Sequence, residues 1–257
     1  MMRSQKVVLL AVIALALAFS GCHHNKTGNV SIQIKARFNG QNVALVNYQD
    51  TVTFTSNGRL YQFSAIEFYL SHITLVGTDG SLTEVSAAEF INFSNPASLT
   101  LNYKNLKGSY RAVQFGCGLD SIQNNSNPKS LDTTNPTSPL AANNNNDMYW
   151  SMQKYRFETF DGEWDSINDP YNFLREAFSY HVGGPGLYRT PVIVPNSFSI
   201  SADNTTSLVL YLDIQKIFNG STETLSFPSE ELTQTSSSDN PVIAQKFSDN
   251  FSQAFTF

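Results

Sequence analysis

Residues 30–38 read VSIQIKARF, and their alternation decides the fold class. Val30, Ile32, Ile34, Ala36 and Phe38 are apolar, while Ser31, Gln33, Lys35 and Arg37 between them are polar. A repeat of two places all five apolar side chains on one face of an extended strand, where a helix would scatter them around its axis. Asn39-Gly40 follows at once, the dipeptide of a tight hairpin turn. Strand-like runs recur along the chain. IEFYLSHITLV covers 66–76 and leads into Asp79-Gly80, FINF covers 90–93, and YRAVQFGC covers 110–117. MYWSMQKYRFETF covers 148–160, with Tyr155 and Phe157 on one face, Arg156 and Glu158 on the other, and Asp161-Gly162 as the closing turn. FSYHV over 178–182 ends in Gly183-Gly184-Pro185-Gly186. Further alternation follows at Phe198 and Ile200, then at Leu208, Leu210, Leu212 and Ile214.

The period changes at the end of the chain. Asp239-Asn240-Pro241 offers helix caps followed by Pro at the first helical position. Ile243, Phe247, Phe251 and Phe255 then recur every four residues, which predicts a helix laying one apolar stripe over the open side of a sheet. Gln123 to Asn146, rich in Asn, Ser, Thr and Pro, reads as a long loop, and Tyr171 to Phe178 as a helical turn or two. The expected architecture is all-β: an antiparallel β-sandwich or open barrel with long loops and a short C-terminal helix, spanning 29–257.

Composition agrees. Of 257 residues 41% are hydrophobic, 12% aromatic and only 14% charged, with a net charge of −5. A disordered chain would lack the 19 Phe and 11 Tyr, and a nucleic-acid binder would ordinarily carry a basic excess. The N-terminus reads as an export signal. Arg3 and Lys6 precede 13 unbroken apolar residues, Val7 to Phe19, too few to span a bilayer. Ser20-Gly21-Cys22 then resembles the bacterial lipobox. Residues 1–21 are therefore expected to be a lipoprotein signal peptide, Cys22 the lipidation site and 22–28 a tether. The membrane would be a partner through that anchor, with the domain on the periplasmic or surface side of the outer membrane. Cys117 would then have no intrachain partner and is expected to be a buried small residue.

Chemistry-bearing residues are few. No G-x-S-x-G, P-loop or H-E-x-x-H occurs, and the four His are His23, His24, His72 and His181. So few imidazoles argue against a Ser-His-Asp or Cys-His hydrolase, and no enzyme activity is expected. His181 lies on the strand face opposite Phe178, Tyr180 and Val182, beside a Gly-Gly bend that admits close approach. His72 falls on the face of Ile66, Phe68 and Leu70, as a satisfied core or edge histidine. Asp161, Glu163 and Asp165 read as a solvated turn. Trp150 opens a strand, flanked by Met148 and Met152, which read as core residues or thioether donors.

Taken in order, FSAIEFYLSHITLVGTDG, YRAVQFGCGLDS, DMYWSMQKYRFETFDG, FSYHVGG and LVLYLDIQKIF resemble the MbnP-like periplasmic copper-binding proteins. The resemblance covers residues 29–257. It implies an all-β fold, often lipoprotein anchoring, a diheme peroxidase-like cytochrome as partner for some members, and a tryptophan oxidised to kynurenine beside the copper. Carried over, His181 matches the family's His before the Gly pair, and Trp150 matches the first Trp of M-[FY]-W-x-W-N-x-G-[HY]. Met152 replaces the second Trp and Gln153 the Asn. Tyr155 stands where copper-binding members can have His, and Ser71 stands one position before His72 where some carry His. The resemblance carries over His181 as ligand and Trp150 as the residue open to oxidation, and Met152, a soft thioether, and His72 complete the candidate ligand set. The implied role is copper capture or delivery. The alternative is a non-metal interaction module on the same scaffold, contacting a surface protein, a glycan or a diheme cytochrome, with no nucleic acid involved.

Overall fold

The computed structural model describes residues 26–43, 51–54, 59–142, 148–150, 154–165, 176–221, 223–234 and 240–257, with backbone alone for 51–54 and 234. The signal segment, Cys22 and Met152 lie outside the described residues. In chain order the strands are β1 (Gly28–Phe38), β2 (Gln41–Val43), β3 (Thr51–Phe54), β4 (Arg59–Gly77), β5 (Leu82–Asn92), β6 (Thr100–Leu106) and β7 (Gly108–Cys117). Then come β8 (Tyr149–Trp150), β9 (Lys154–Tyr155), β10 (Glu158–Trp164), β11 (Glu176–Val182), β12 (Arg189–Ile200), β13 (Thr205–Asp213), β14 (Leu232–Gln234) and β15 (Phe255–Thr256). The helices are α1 (Ser121–Asn124), α2 (Pro128–Thr134), α3 (Ile214–Phe218) and α4 (Pro241–Ser252).

β1 behaves as its sequence predicts: Val30, Ile32, Ile34, Ala36 and Phe38 are all buried. Asn39 and Gly40 both take positive φ, 51° and 75°, which gives the two-residue turn into β2 its hand. One sheet runs β15-β13-β1-β2, with β6 also on β1; the other runs β12-β7-β4-β10-β11-β14, with β3 and β5 on the far edge of β4. Their inner faces meet through aromatic rings, such as Phe38 against Phe63 at 5.5 Å. The result is a sandwich rather than a barrel. The pairing is mixed, because β1 with β13 and β11 with β14 run parallel. Alternation along one strand says nothing about the direction of its neighbour, which topology sets.

α4 closes the sandwich as expected. Asn240 caps it and Pro241 begins it. Phe247 stacks on Tyr180 at 4.9 Å and meets Phe160 at 5.3 Å, and Phe251 meets Phe68 at 5.2 Å. Each such ring contributes about 1.5–3 kcal/mol by leaving water. Phe255 lies past the helix end, in β15, where it packs on Phe115 at 5.0 Å.

Other expectations change. The helical turn expected over Tyr171 to Phe178 is strand where it is described, since Glu176–Phe178 open β11, and 171–175 lie outside the described residues. The described part of the expected loop, 123–142, is more than a loop: α1 ends there, α2 forms there, and Leu140 and Ala141 are buried. Asp120 caps α1 through a full capping box with Gln123, a signal that the polar composition masked. MYWSMQKYRFETF is likewise not one strand but the β8–β9 hairpin followed by β10. These pieces fold over the outer face of the second sheet. There Tyr69, Leu119, Leu140, Met148, Tyr155 and Phe157 form a small core of their own.

Candidate functional site

β10 and β11 build the site. Phe178, Tyr180 and Val182 face the sandwich interior, so Ser179 and His181 face outward, as the alternation predicted. Register then sets Thr159 opposite His181 and Asp161 opposite Ser179. Asp161-Gly162, read from sequence as a turn, is the middle of β10. The register with β4 shifts there, from Asp161–Ala65 to Gly162–Phe63. Such a bulge bends a strand and re-aims its side chains.

His181 Nε2 lies 2.9 Å from Asp161 Oδ1 and 3.1 Å from Oδ2, and Ser179 Oγ donates to Oδ1 at 2.6 Å. Burial alone would raise the Asp161 carboxyl. The hydrogen bonds from His181 and Ser179, with the charge of Arg156, outweigh it and hold the carboxyl below its ordinary value. An ionised carboxylate only accepts, so Nε2 carries the proton. In the neutral imidazole Nδ1 is then a bare lone pair, and it is buried with no hydrogen-bond partner. The His181 side chain as a whole is only 13% exposed.

A soft donor stands next door. Thr159, cross-strand from His181, donates to the Met148 sulfur at 3.3 Å, and Met148 is fully buried. Arg156 N bonds Met148 O at 2.6 Å, and the Arg156 guanidinium lies 4.6 Å over the Trp150 ring. The Arg156 charge also acts on Asp161. Trp150 is 43% exposed, not a core residue. The Gly pair has a specific use. A Cβ on Gly183 would come within 2.6 Å of Tyr155 O, so only glycine lets these backbones meet where Phe157 N bonds Val182 O.

A family model described as MbnP matches residues 27–237. The chain belongs to the MbnP family. One solved structure similar to this MbnP-family chain is MbnP from Methylosinus trichosporium, at 15% identity and a TM-score of 0.48, covering 76% of this chain and 78% of that one. No curated protein matches.

The other positions that the family motif singles out are now placed. Tyr155 points into the small outer core: its hydroxyl donates to Leu140 O at 2.6 Å and its ring meets Tyr69 edge-on at 5.8 Å. It is an anchor for the overlying segment. Ser71 is buried and donates to the Tyr188 hydroxyl at 3.1 Å. His72 does not join His181. It stands five positions beyond Glu67, the β4 residue in register with Thr159 and His181, which puts the two histidines roughly 15–20 Å apart. Nor does it face the core as alternation predicted. β4 shifts register against β7 between Ser71 and Thr74, and His72, at φ 51°, turns outward. Its Nδ1 lies 3.2 Å from Glu84 and its Nε2 2.9 Å from Asp120. Partial burial would lower its pKa; the hydrogen bonds and charges of Asp120 and Glu84 win and raise it. Each of its ring nitrogens is already engaged by a carboxylate, so neither is turned toward the His181 site. Among the described residues, no three His, Cys, Asp or Glu gather into a group able to hold a metal ion.

Sequence reasoning missed Asp161. Its only signal is position: an acid opposite a serine, one step from a histidine, on strands whose pairing the sequence does not state.

Proposed function

We propose that this MbnP-family chain captures and hands on copper as Cu(I), with the His181 Nδ1 lone pair as the anchoring donor. The observation that carries the reading is that lone pair, buried, without a partner, and aimed by a carboxylate on the far side of the ring. A metal-ligating histidine is commonly held this way, and an anionic partner makes the imidazole a stronger base. The Met148 thioether beside it fits a soft ion, and an imidazole–thioether pair suits Cu(I) far better than hard divalent cations. Copper is cargo here. His181 and Met148 hold it, Asp161 and Ser179 fix the ring, and Thr159 releases the sulfur by turning its hydroxyl. Met152 is a further donor in the proposal, Trp150 the residue open to oxidation, and His72 no part of it. Turnover as an enzyme forms no part of it either.

The same proposal places the chain on the extracytoplasmic side of the outer membrane, lipid-anchored at Cys22, with a diheme peroxidase-like cytochrome as a partner. Support for that placement comes from the lipobox-like Ser20-Gly21-Cys22 and from the family's habits. A second reading, an interaction module, draws on one observation: the exposed Trp150 ring stacked by Arg156 makes a rigid aromatic platform.

The test is a competition titration of purified full-length protein against a chromophoric Cu(I) chelator. Wild type takes one equivalent, and Cys117→Ala does the same. His181→Ala loses at least tenfold in affinity. Equal binding by wild type and His181→Ala defeats the copper reading and leaves the interaction module.

A further inference from the structure

Glu158, read from alternation on the face opposite Tyr155 and Phe157, opens β10 with its side chain turned into the sandwich alongside Phe160 and Trp164. It is fully buried, and neither carboxyl oxygen has a hydrogen-bond partner. Native interiors rarely leave a polar group so unmet, and an unpaired buried charge is strongly unfavourable. The groups around it are these. β4 faces it with Phe68 and β11 with Val182, neither of them charged. β7 brings Cys117, opposite Leu70 and so two positions along β4 on the same inner face. Burial above all raises the Cys117 thiol well above its ordinary range, and it stays protonated. β12 brings Arg189, cross-strand from Cys117, whose charge acts on Glu158. Arg189 Nε is tied to Asp249 of α4, and its Nη1 donates to the carbonyls of Gly186 and Tyr188. Its Nη2 is buried without a partner. α4 also brings Ser248, beside Asp249, buried with its hydroxyl unpartnered.

An acceptor without a donor and a donor without an acceptor thus stand in one buried seam, in each other's field but not bonded. We propose that Glu158 is a buried proton-binding site, joined to Arg189 Nη2 by ordered water, and that losing its proton loosens the seam where β7, β10, β12 and α4 meet. A bridging water needs two or more polar partners, and the protonated carboxyl and Nη2 supply them. Burial, opposed by Arg189, sets the Glu158 carboxyl well above the usual carboxylate range, which agrees with the geometry. The seam also backs the outer site. Glu158 sits between Phe157, whose backbone bonds Val182 and Tyr69, and Thr159, the cross-strand neighbour of His181. The inference does not depend on copper.

The sign follows from linkage. A carboxyl that holds its proton more tightly when folded stabilises the fold fully below the unfolded pKa, about 4.3. That contribution is lost as pH rises through the folded pKa, at up to about tenfold in the unfolding constant per pH unit. Denaturant unfolding of purified full-length wild type and Glu158→Gln between pH 5 and pH 9 reads this out. The expected result is a wild-type unfolding constant that climbs with pH relative to the variant. Parallel profiles overturn the proposal. Should Glu158→Gln fail to fold, carboxyl carbon-13 NMR of wild type decides: a Glu158 signal still protonated at pH 7 supports the site, and an ionised one overturns it. In a high-resolution crystal structure, water between Glu158 and Arg189 supports the bridge, and a direct ion pair overturns it.

Discussion

Replacing Asp161 with Asn tests the carboxylate's part in the site while keeping its shape. In wild type two donors converge on one carboxylate: His181 Nε2 at 2.9 and 3.1 Å and Ser179 Oγ at 2.6 Å. Asn keeps a single neutral acceptor and turns an NH2 toward one of those donors. A hydrogen bond to a charged group is worth about 1.5–3 kcal/mol against about 0.5–1.5 for a neutral one, so the imidazole loses roughly 1–1.5 kcal/mol of orientation. Loss of an outer-shell partner typically costs about 10–100-fold in metal affinity, or roughly 1.4–2.8 kcal/mol, a range that overlaps the first estimate. Asp161→Asn should therefore weaken Cu(I) binding by one to two decades in the chelator competition, with a circular dichroism spectrum like that of wild type. An affinity within twofold of wild type would refute the idea that Asp161 sets the ring for metal.

Three further outcomes follow from the same structure. Phe247→Ala removes a fully buried ring that meets Phe160 and Tyr180, and should cost about 3–5 kcal/mol in urea unfolding; a loss under about 1 kcal/mol would mean α4 does not close the sandwich. Tyr155→Phe leaves the Leu140 carbonyl without its donor and should cost about 1–3 kcal/mol while lowering hydrogen-exchange protection across 118–142 and 154–157. If protection there is unchanged, Tyr155 does not anchor that segment. His72 has a raised folded pKa, so its contribution is fully present below about pH 6.5 and disappears as pH rises through the folded value. Thermal unfolding should show wild type losing stability against His72→Gln over that interval, and a flat difference would contradict the Asp120–His72–Glu84 pairing.

What the sequence discloses and what it withholds divide along a physical line. A strand's burial face depends on neighbours two residues away, so Val30 to Phe38 and Phe178 to Val182 were legible. The α4 stripe was legible through the same local periodicity, up to Phe255, where the chain leaves the helix. Bulges were not legible. One extra residue at 71–74 turned His72 outward, and another on β4, between Phe63 and Ala65, faces Asp161-Gly162, which suggested a turn but runs through β10 in unbroken register with β11. Cross-strand partners were hidden as well, since Thr159, Asp161 and Ser179 acquire meaning only once β10 and β11 are in register. Glu158 does lie on the face opposite Tyr155 and Phe157, as alternation has it; that this face is the sandwich interior was hidden, because both faces of β10 are covered.

The most direct measurement is long-range proton–nitrogen NMR of His181 in purified full-length protein, before and after one equivalent of Cu(I). Without copper, the ring should show a proton on Nε2 and a bare Nδ1. With copper, the Nδ1 resonance should move while Nε2 keeps its proton and its bond to Asp161. An Nδ1 signal indifferent to copper, or a proton found on Nδ1 at the outset, would contradict the account.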